Sequence, residues 1–317
     1  MDYSTTAFVF PGQGSQVVGM GKEIADAYPV ARDIIEQADR VTDFNLAQIM
    51  YEGPEEVLND TAITQPAVYV VSVAILRVIQ QELPDAKPAF VAGHSLGEFT
   101  ALTAAHALDF EDGVQLVRER GRLMKMAGDQ HPGGMAAILG SDVDQVGELV
   151  QEATAKTGQA VVIANDNCPG QIVISGDHTA LVAAVDMAKD YGAKRAIPLA
   201  VSVATHSPLM QPAMDEFGKL VEATEFKEPQ IPIIGNVSVK PLYTVADIHT
   251  ELEAQLISSV RWTQSVNEMI NAGIETFVEI GTRDVLTGLL RRINRSKIGI
   301  AVNSLSTLQA FVQTNVD

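Results

Sequence analysis

Cysteine is nearly absent from this 317-residue chain: the single Cys168 excludes an internal disulfide, so the fold must be held by its core. Also missing at the start, MDYSTTAFVF, is a basic stretch ahead of a long apolar run. No secretory signal or membrane anchor is visible there, and a cytoplasmic location is expected. The longest apolar stretch, Ala67 to Ile79, is interrupted by Arg77 and is too short to cross a bilayer, so no membrane partner is expected. Basic residues are few: 22 Lys and Arg against 40 Asp and Glu leave a formal net charge of -18. Such a surface repels a phosphate backbone, and no nucleic-acid partner is expected. There is no repeat, no low-complexity tract and no linker long enough to separate independent domains. No histidine pair has metal-ligand spacing and the cysteine has no partner, so neither a metal nor a bound cofactor is expected.

What is present suits a folded globular chain, with 46% hydrophobic and 20% charged residues. Ala7-Phe8-Val9-Phe10 reads as a buried strand stopped by Pro11. Thr64-Gln65-Pro66 opens a mostly apolar helix through Leu83. A second strand, Ala89 to Ala92, runs into Gly93-His94-Ser95-Leu96-Gly97 and a helix from Glu98 to His106, the alternation of a parallel α/β sheet. The middle has another rhythm: strand Met135–Leu139, helix Val143–Lys156, strands Val161–Ala164 and Gln171–Ser175 around the turn Asn167-Cys168-Pro169-Gly170, helix Thr179–Tyr191, strand Ala196–Val201. This β-α-β-β-α-β order predicts a ferredoxin-like subdomain over 128–201, inserted into a large α/β body formed by 1–127 and 202–317. Ile231 to Asn236 and Thr276 to Ile280 read as further strands of that body.

Gly93-His94-Ser95-Leu96-Gly97 fits the nucleophile elbow G-x-S-x-G, in which a sharp strand-to-helix turn lifts a serine hydroxyl clear of the sheet. The Leu96 amide and the positive end of the following helix would then face the oxyanion formed on attack. Of the six histidines, His206 stands out as a base, because Ser202-Val203-Ala204-Thr205-His206 lies just past a predicted strand, where α/β sheets meet ligands. His94 should point away from Ser95. Gly12-Gln13-Gly14 fits neither a dinucleotide nor a phosphate loop, because Val17 stands where the third glycine belongs and Met20 where the lysine belongs. It is a tight turn, and whether it presents Gln13 to a ligand stays open. So do two readings of Arg120, in Arg118-Glu119-Arg120-Gly121-Arg122: a charged helix surface, or an inward guanidinium gripping a substrate carboxylate. The basic run Arg291, Arg292, Arg295, Lys297 is either a solvated helix end or a local site for an anionic partner.

Taken together, the segments Phe10–Gln16, Thr64–Ala67, Gly93–Glu98, Glu119–Gly121, Asn167–Gln171, His206–Met210, Val260–Trp262 and Val285–Leu289 resemble the malonyl-CoA:acyl carrier protein transacylases over nearly the whole chain. The resemblance implies an α/β-hydrolase-like body with a ferredoxin-like insert. It also implies malonyl transfer from malonyl-CoA, as a substrate, to the thiol of an acyl carrier protein in fatty-acid synthesis. Carried over by position, it makes Ser95 the nucleophile, His206 its base, and the amides of Gln13 and Leu96 the oxyanion hole. Arg120 would hold the malonyl carboxylate, and Arg195 and Arg292 would meet the phosphate-bearing end of the donor or the carrier protein. In this family a backbone carbonyl near Val260-Arg261-Trp262 orients the base. A trans-acting transferase of a polyketide or malonate decarboxylase pathway, a serine acyl hydrolase and a non-catalytic carrier-binding module are the competing readings. The chain departs from the family at Thr205, where many malonyl-selective relatives carry Phe, and at Ser259, where Pro is frequent.

Overall fold

The computed structural model describes residues 1–201 and 203–316. Ser202, where the sequence places the return to the large body, and Asp317 lie outside the described residues. Among the described residues, ten strands form two sheets. The larger has the order β10-β9-β1-β2-β7-β8, with β1 Thr6–Phe10, β2 Phe90–Gly93, β7 Ile233–Ile234, β8 Pro241–Leu242, β9 Thr276–Ile280 and β10 Ile298–Val302. All neighbours pair in parallel except β7 and β8, so the parallel sheet ends in an antiparallel edge. Strand β1 is buried along its whole length, which is why Ala7–Phe10 reads as continuous apolar residues rather than as an alternation.

The smaller sheet has the order β4-β5-β3-β6, wholly antiparallel, from β3 Gly133–Leu139, β4 Val161–Cys168, β5 Gln171–Asp177 and β6 Arg195–Pro198. With helices Val143–Thr157 and His178–Met187 in the crossovers, this is the ferredoxin-like order. Side chains alternate along β3: Ala136 and Ile138 pack among the helix residues Val146, Leu149 and Leu181, while Met135 and Ala137 face a cavity shared with the large body. Strand β4 docks on that body through Val260, whose N–H donates to Ala164 O at 2.9 Å and whose carbonyl accepts from Asp166 N at 3.0 Å.

Several boundaries differ from the sequence reading: the strand expected over Val161–Ala164 runs on to Cys168, the helix expected to reach Tyr191 ends at Met187, and proline bears on three others. The first long helix runs from Thr61 to Glu82, capped by Asp60, whose side chain accepts from Ala62 N. Pro66 therefore lies inside the helix instead of opening it. Its 22 residues are long and apolar enough to span a bilayer, but 83% of the apolar window is buried in the body. Strand β6 stops at Pro198, which has no N–H to donate, and not at Val201. The strand expected from Ile231 to Asn236 shrinks to Ile233–Ile234, with Pro232 contributing only a carbonyl, to Val91 N at 3.0 Å.

Candidate active site

Ser95 sits between β2 and the helix Gly97–Ala104 with φ of 51°, a left-handed conformation that costs a serine free energy. The flanking glycines show why the turn is so tight. A Cβ on Gly93 would lie 1.9 Å from the Gly97 carbonyl carbon, and one on Gly97 would lie 2.1 Å from Phe10 O. The hydroxyl faces a cavity of about 540 Å³ beyond the carboxyl ends of β1 and β2, lined from the other side by Met135, Asn165 and Val173 of the small sheet.

His206 reaches the same cavity. Its Nε2 is 2.7 Å from Ser95 Oγ, while Nδ1 faces the carbonyls of Gln255 at 2.8 Å and Ser258 at 3.1 Å. Carbonyls only accept, so Nδ1 carries the hydrogen and Nε2 is left to accept from the serine hydroxyl. The ring is buried, and burial, followed by the charge of Arg120, pushes the imidazole down to about 3. It is therefore neutral at physiological pH, the form a base requires.

Arg120 has no exposed surface, which rules out the charged-surface reading. Its Nη2 donates to Gln255 Oε1 at 2.9 Å and to Ser95 Oγ at 3.2 Å, and its Nη1 donates to Gln65 Oε1 at 2.7 Å. Burial lowers the guanidinium to about 9 and Glu98 works against that, so the group remains a cation at neutral pH. Its helical neighbours face elsewhere: Arg118 lies over the Phe44 ring and Arg122 pairs with Glu119 at 2.8 Å. A fixed cation beside a nucleophilic oxygen suits an acyl group that carries its own carboxylate.

The remaining positions divide. Among the described residues, neither the Gln13 nor the Leu96 amide donates an internal hydrogen bond, and Gln13 lines the cavity. The Gln13 side chain is held sideways, its Nε2 donating to Thr61 Oγ1 at 3.2 Å and its Oε1 accepting from Gln65 at 3.3 Å. His94 does turn from Ser95, with Nε2 2.8 Å from Asn167 Oδ1. Arg292 is exposed and donates to Gln171 Oε1 at 2.5 Å and Pro169 O at 3.2 Å; Arg195 is exposed on β6, opposite Leu139. Two neighbouring glycines lie under this basic rim: an added Cβ at Gly140 would crowd Lys194 Cγ at 2.7 Å, and one at Gly170 would only touch Arg292 Nη2 at 3.7 Å. Lys297 leaves the basic run, because its ammonium pairs with Glu275 at 2.6 Å.

Sequence reasoning missed two amides. Asn236 Oδ1 accepts from Ser95 N at 2.7 Å, and Gln255 supplies both the carbonyl behind His206 and the oxygen facing Arg120. Asn236 had a signal, since it follows the carboxyl end of a strand, where ligands meet α/β sheets. Gln255, at the end of the helix Val245–Gln255, had none.

Residues 7–310 match the acyl transferase domain family. The chain is 43% identical over 311 residues to the malonyl CoA-acyl carrier protein transacylase of Bacillus subtilis (strain 168), covering 98% of this chain and 97% of that one. It is 42% identical over 307 residues to its Escherichia coli (strain K12) counterpart, covering 97% and 98%. Among solved structures, a malonyl-transacylase in complex with its type II PKS acyl-carrier protein superposes with a TM-score of 0.95 at 42% identity, covering 98% of this chain and 100% of that one. The acyl carrier protein S-malonyltransferase of Vibrio cholerae superposes with a TM-score of 0.93 at 43% identity, covering 97% and 100%.

Proposed function

Because this chain belongs to the malonyl-CoA:acyl carrier protein transacylase family, we propose that it passes a malonyl group from coenzyme A to the phosphopantetheine thiol of an acyl carrier protein through an ester on Ser95. The observation that carries the assignment of roles is the triangle of Ser95, His206 and Arg120. The nucleophilic oxygen is 2.7 Å from an imidazole nitrogen and 3.2 Å from a buried guanidinium.

In the first half-reaction His206 Nε2 takes the hydroxyl proton as Ser95 Oγ attacks the thioester carbonyl, and the Gln13 and Leu96 amides receive the oxyanion. The C–S bond breaks, and the proton on His206 goes to the departing thiolate of coenzyme A. In the second half-reaction the carrier thiol gives its proton to His206, attacks the ester carbonyl and returns the serine oxygen, which recovers that proton. Arg120 holds the malonyl carboxylate throughout. A neutral acyl group would leave the guanidinium without an anion, which disfavours acetyl. Arg195 and Arg292 meet the phosphate-bearing arm common to both thiols.

The division into a body of 1–127 and 202–317 and an insert of 128–201 belongs to this reading. The end of the Phe110–Gln130 helix and the span from β3 to β6 support it. A cytoplasmic location belongs to it too. The similarity to a transacylase solved with a PKS carrier supports a second reading, in which a polyketide carrier protein is also an acceptor.

The test is to mix the protein with labelled malonyl-CoA, trap the acyl-enzyme, and then add water, a fatty-acid carrier or a polyketide carrier in phosphopantetheinylated form. Label on Ser95 that moves to carrier is the expected result. No label on Ser95 would sink the assignment, and rapid loss to water without transfer would point to a hydrolase.

A further inference from the structure

The hydrogen bonds behind the elbow converge on a carboxyl that takes no part in the transfer steps. Glu98 has no exposed surface, and its three contacts are all with N–H donors: Asn236 N and Nδ2, each 2.9 Å from Oε1, and Gln255 Nε2, on Oε2. A carboxylate only accepts, so together with the Gly93 and Ser95 carbonyls it fixes which end of each amide faces it. With Nδ2 turned to Glu98 and to Gly93 O, Asn236 must present Oδ1 to Ser95 N. With Nε2 turned to Glu98 and to Ser95 O, at 3.1 Å from the latter, Gln255 must present Oε1 to Arg120. Reversing either amide would set N–H against the Ser95 N–H or against the Arg120 cation.

We propose that Glu98 is a positioning residue for acyl transfer: by accepting from both amides it sets their orientation, and through them it holds the Ser95 backbone and the Arg120 guanidinium in register with His206. The inference rests on the transfer reading above. Burial, with the charge of Glu251 behind it, pushes the Glu98 carboxyl up to about 8, and the Gln255 and Asn236 donors work the other way. All three of its contacts are donors and none could receive a carboxyl proton, so the geometry fits the ionised form. Glu251 has a separate task, accepting from Val237 N at 2.5 Å and Ser238 N at 3.0 Å in the loop after Asn236.

The test sets shape against acceptor character. Glu98→Gln keeps the shape but replaces one oxygen with a donor; Glu98→Asp keeps both oxygens on a shorter arm. Acylation of the full chain by malonyl-CoA is followed in a single turnover by intact mass. If Glu98 only fills space, the Gln variant is the faster. If it orients the amides, the Asp variant is the faster, and Glu98→Gln loses about 100-fold, the scale of a reacting group displaced by an ångström. Combining Glu98→Gln with Gln255→Glu puts an acceptor-only group back beside Arg120 and should recover about tenfold. A Gln variant as fast as Asp, or a double variant no faster than Glu98→Gln, overturns the proposal. Should Glu98→Gln not fold, the double variant decides: folded and acylating it supports the assignment, unfolded or inactive it overturns it. Absence of acylation in the unaltered protein defeats the transfer reading, and the proposal with it.

Discussion

Arg120 Nη2 and Ser95 Oγ are 3.2 Å apart, so the cation proposed to receive the substrate carboxylate also lies against the proposed nucleophile, and its charge depresses the imidazole of His206. A malonyl carboxylate on Arg120 would offset that charge and raise the basicity of His206, whereas an acetyl group would leave it uncompensated. Arg120→Ala should therefore lose about 100-fold or more in kcat/KM for malonyl-CoA while its acetyl-CoA rate holds or rises. Steady-state kinetics with both donors measure this. Equal losses for the two would contradict the carboxylate clamp.

The neutrality of His206 fixes a pH dependence. An imidazole held down to about 3 by burial and by Arg120 stays competent as a base well below its ordinary 6.5. The kcat/KM for acylation of Ser95 should stay flat from about pH 8 to about pH 5.5, and an acid limb centred near 6.5 would count against His206 as the base. Stability moves differently. Between 6.5 and about 3 the unfolded chain takes up a proton that the native histidine refuses, so this residue makes stability fall as pH falls through that window. His206→Ala should flatten that part of a denaturation-versus-pH curve.

Not every glycine carries the fold equally. A methyl on Gly93 would lie 1.9 Å from backbone, whereas Gly147, inside the helix Val143–Thr157, has nothing within 4 Å of an added Cβ. Gly93→Ala should destabilise by at least about 4 kcal/mol or prevent folding. Gly147→Ala should instead stabilise by about 0.5 to 1 kcal/mol through helix propensity. Denaturant midpoints of the two variants give the comparison.

These contrasts also mark how far the sequence could be read. The elbow was legible because its requirements are local: an apolar strand, two glycines where no side chain fits, and a helix. Strand β9, Thr276–Ile280, was legible from its β-branched and aromatic residues, although Glu279 interrupts the apolar run. The amides that complete the site were not. Asn236 meets Ser95 across 141 residues and Gln255 meets it across 160, and neither carries a nearby pattern that announces the partner. The inward turn of Arg120 was likewise undecided by sequence, since Arg118 and Arg122 on the same helix offer the same chemistry. Only the packing of that helix against the Thr61–Glu82 helix, which brings Gln65 to the guanidinium, separates them.

Docking of the carrier protein turns on which cations are free. The chain carries a net charge of -18, and acyl carrier proteins are typically acidic, so approach must be guided by a local positive patch. Arg292 is tethered to the turn between β4 and β5 by Gln171 and Pro169, an arrangement that holds it at the rim with Lys194 and Arg195 on the small sheet. Lys297, a few residues on, is matched by Glu275 and adds little field. Arg292→Glu should therefore raise the KM for carrier protein about tenfold at low ionic strength, with the difference shrinking as salt is added. Lys297→Glu should leave that KM within about twofold. Transfer kinetics with carrier as the varied substrate, at two salt concentrations, separate the two positions. An unchanged KM for Arg292→Glu at low salt would move the docking surface away from this rim.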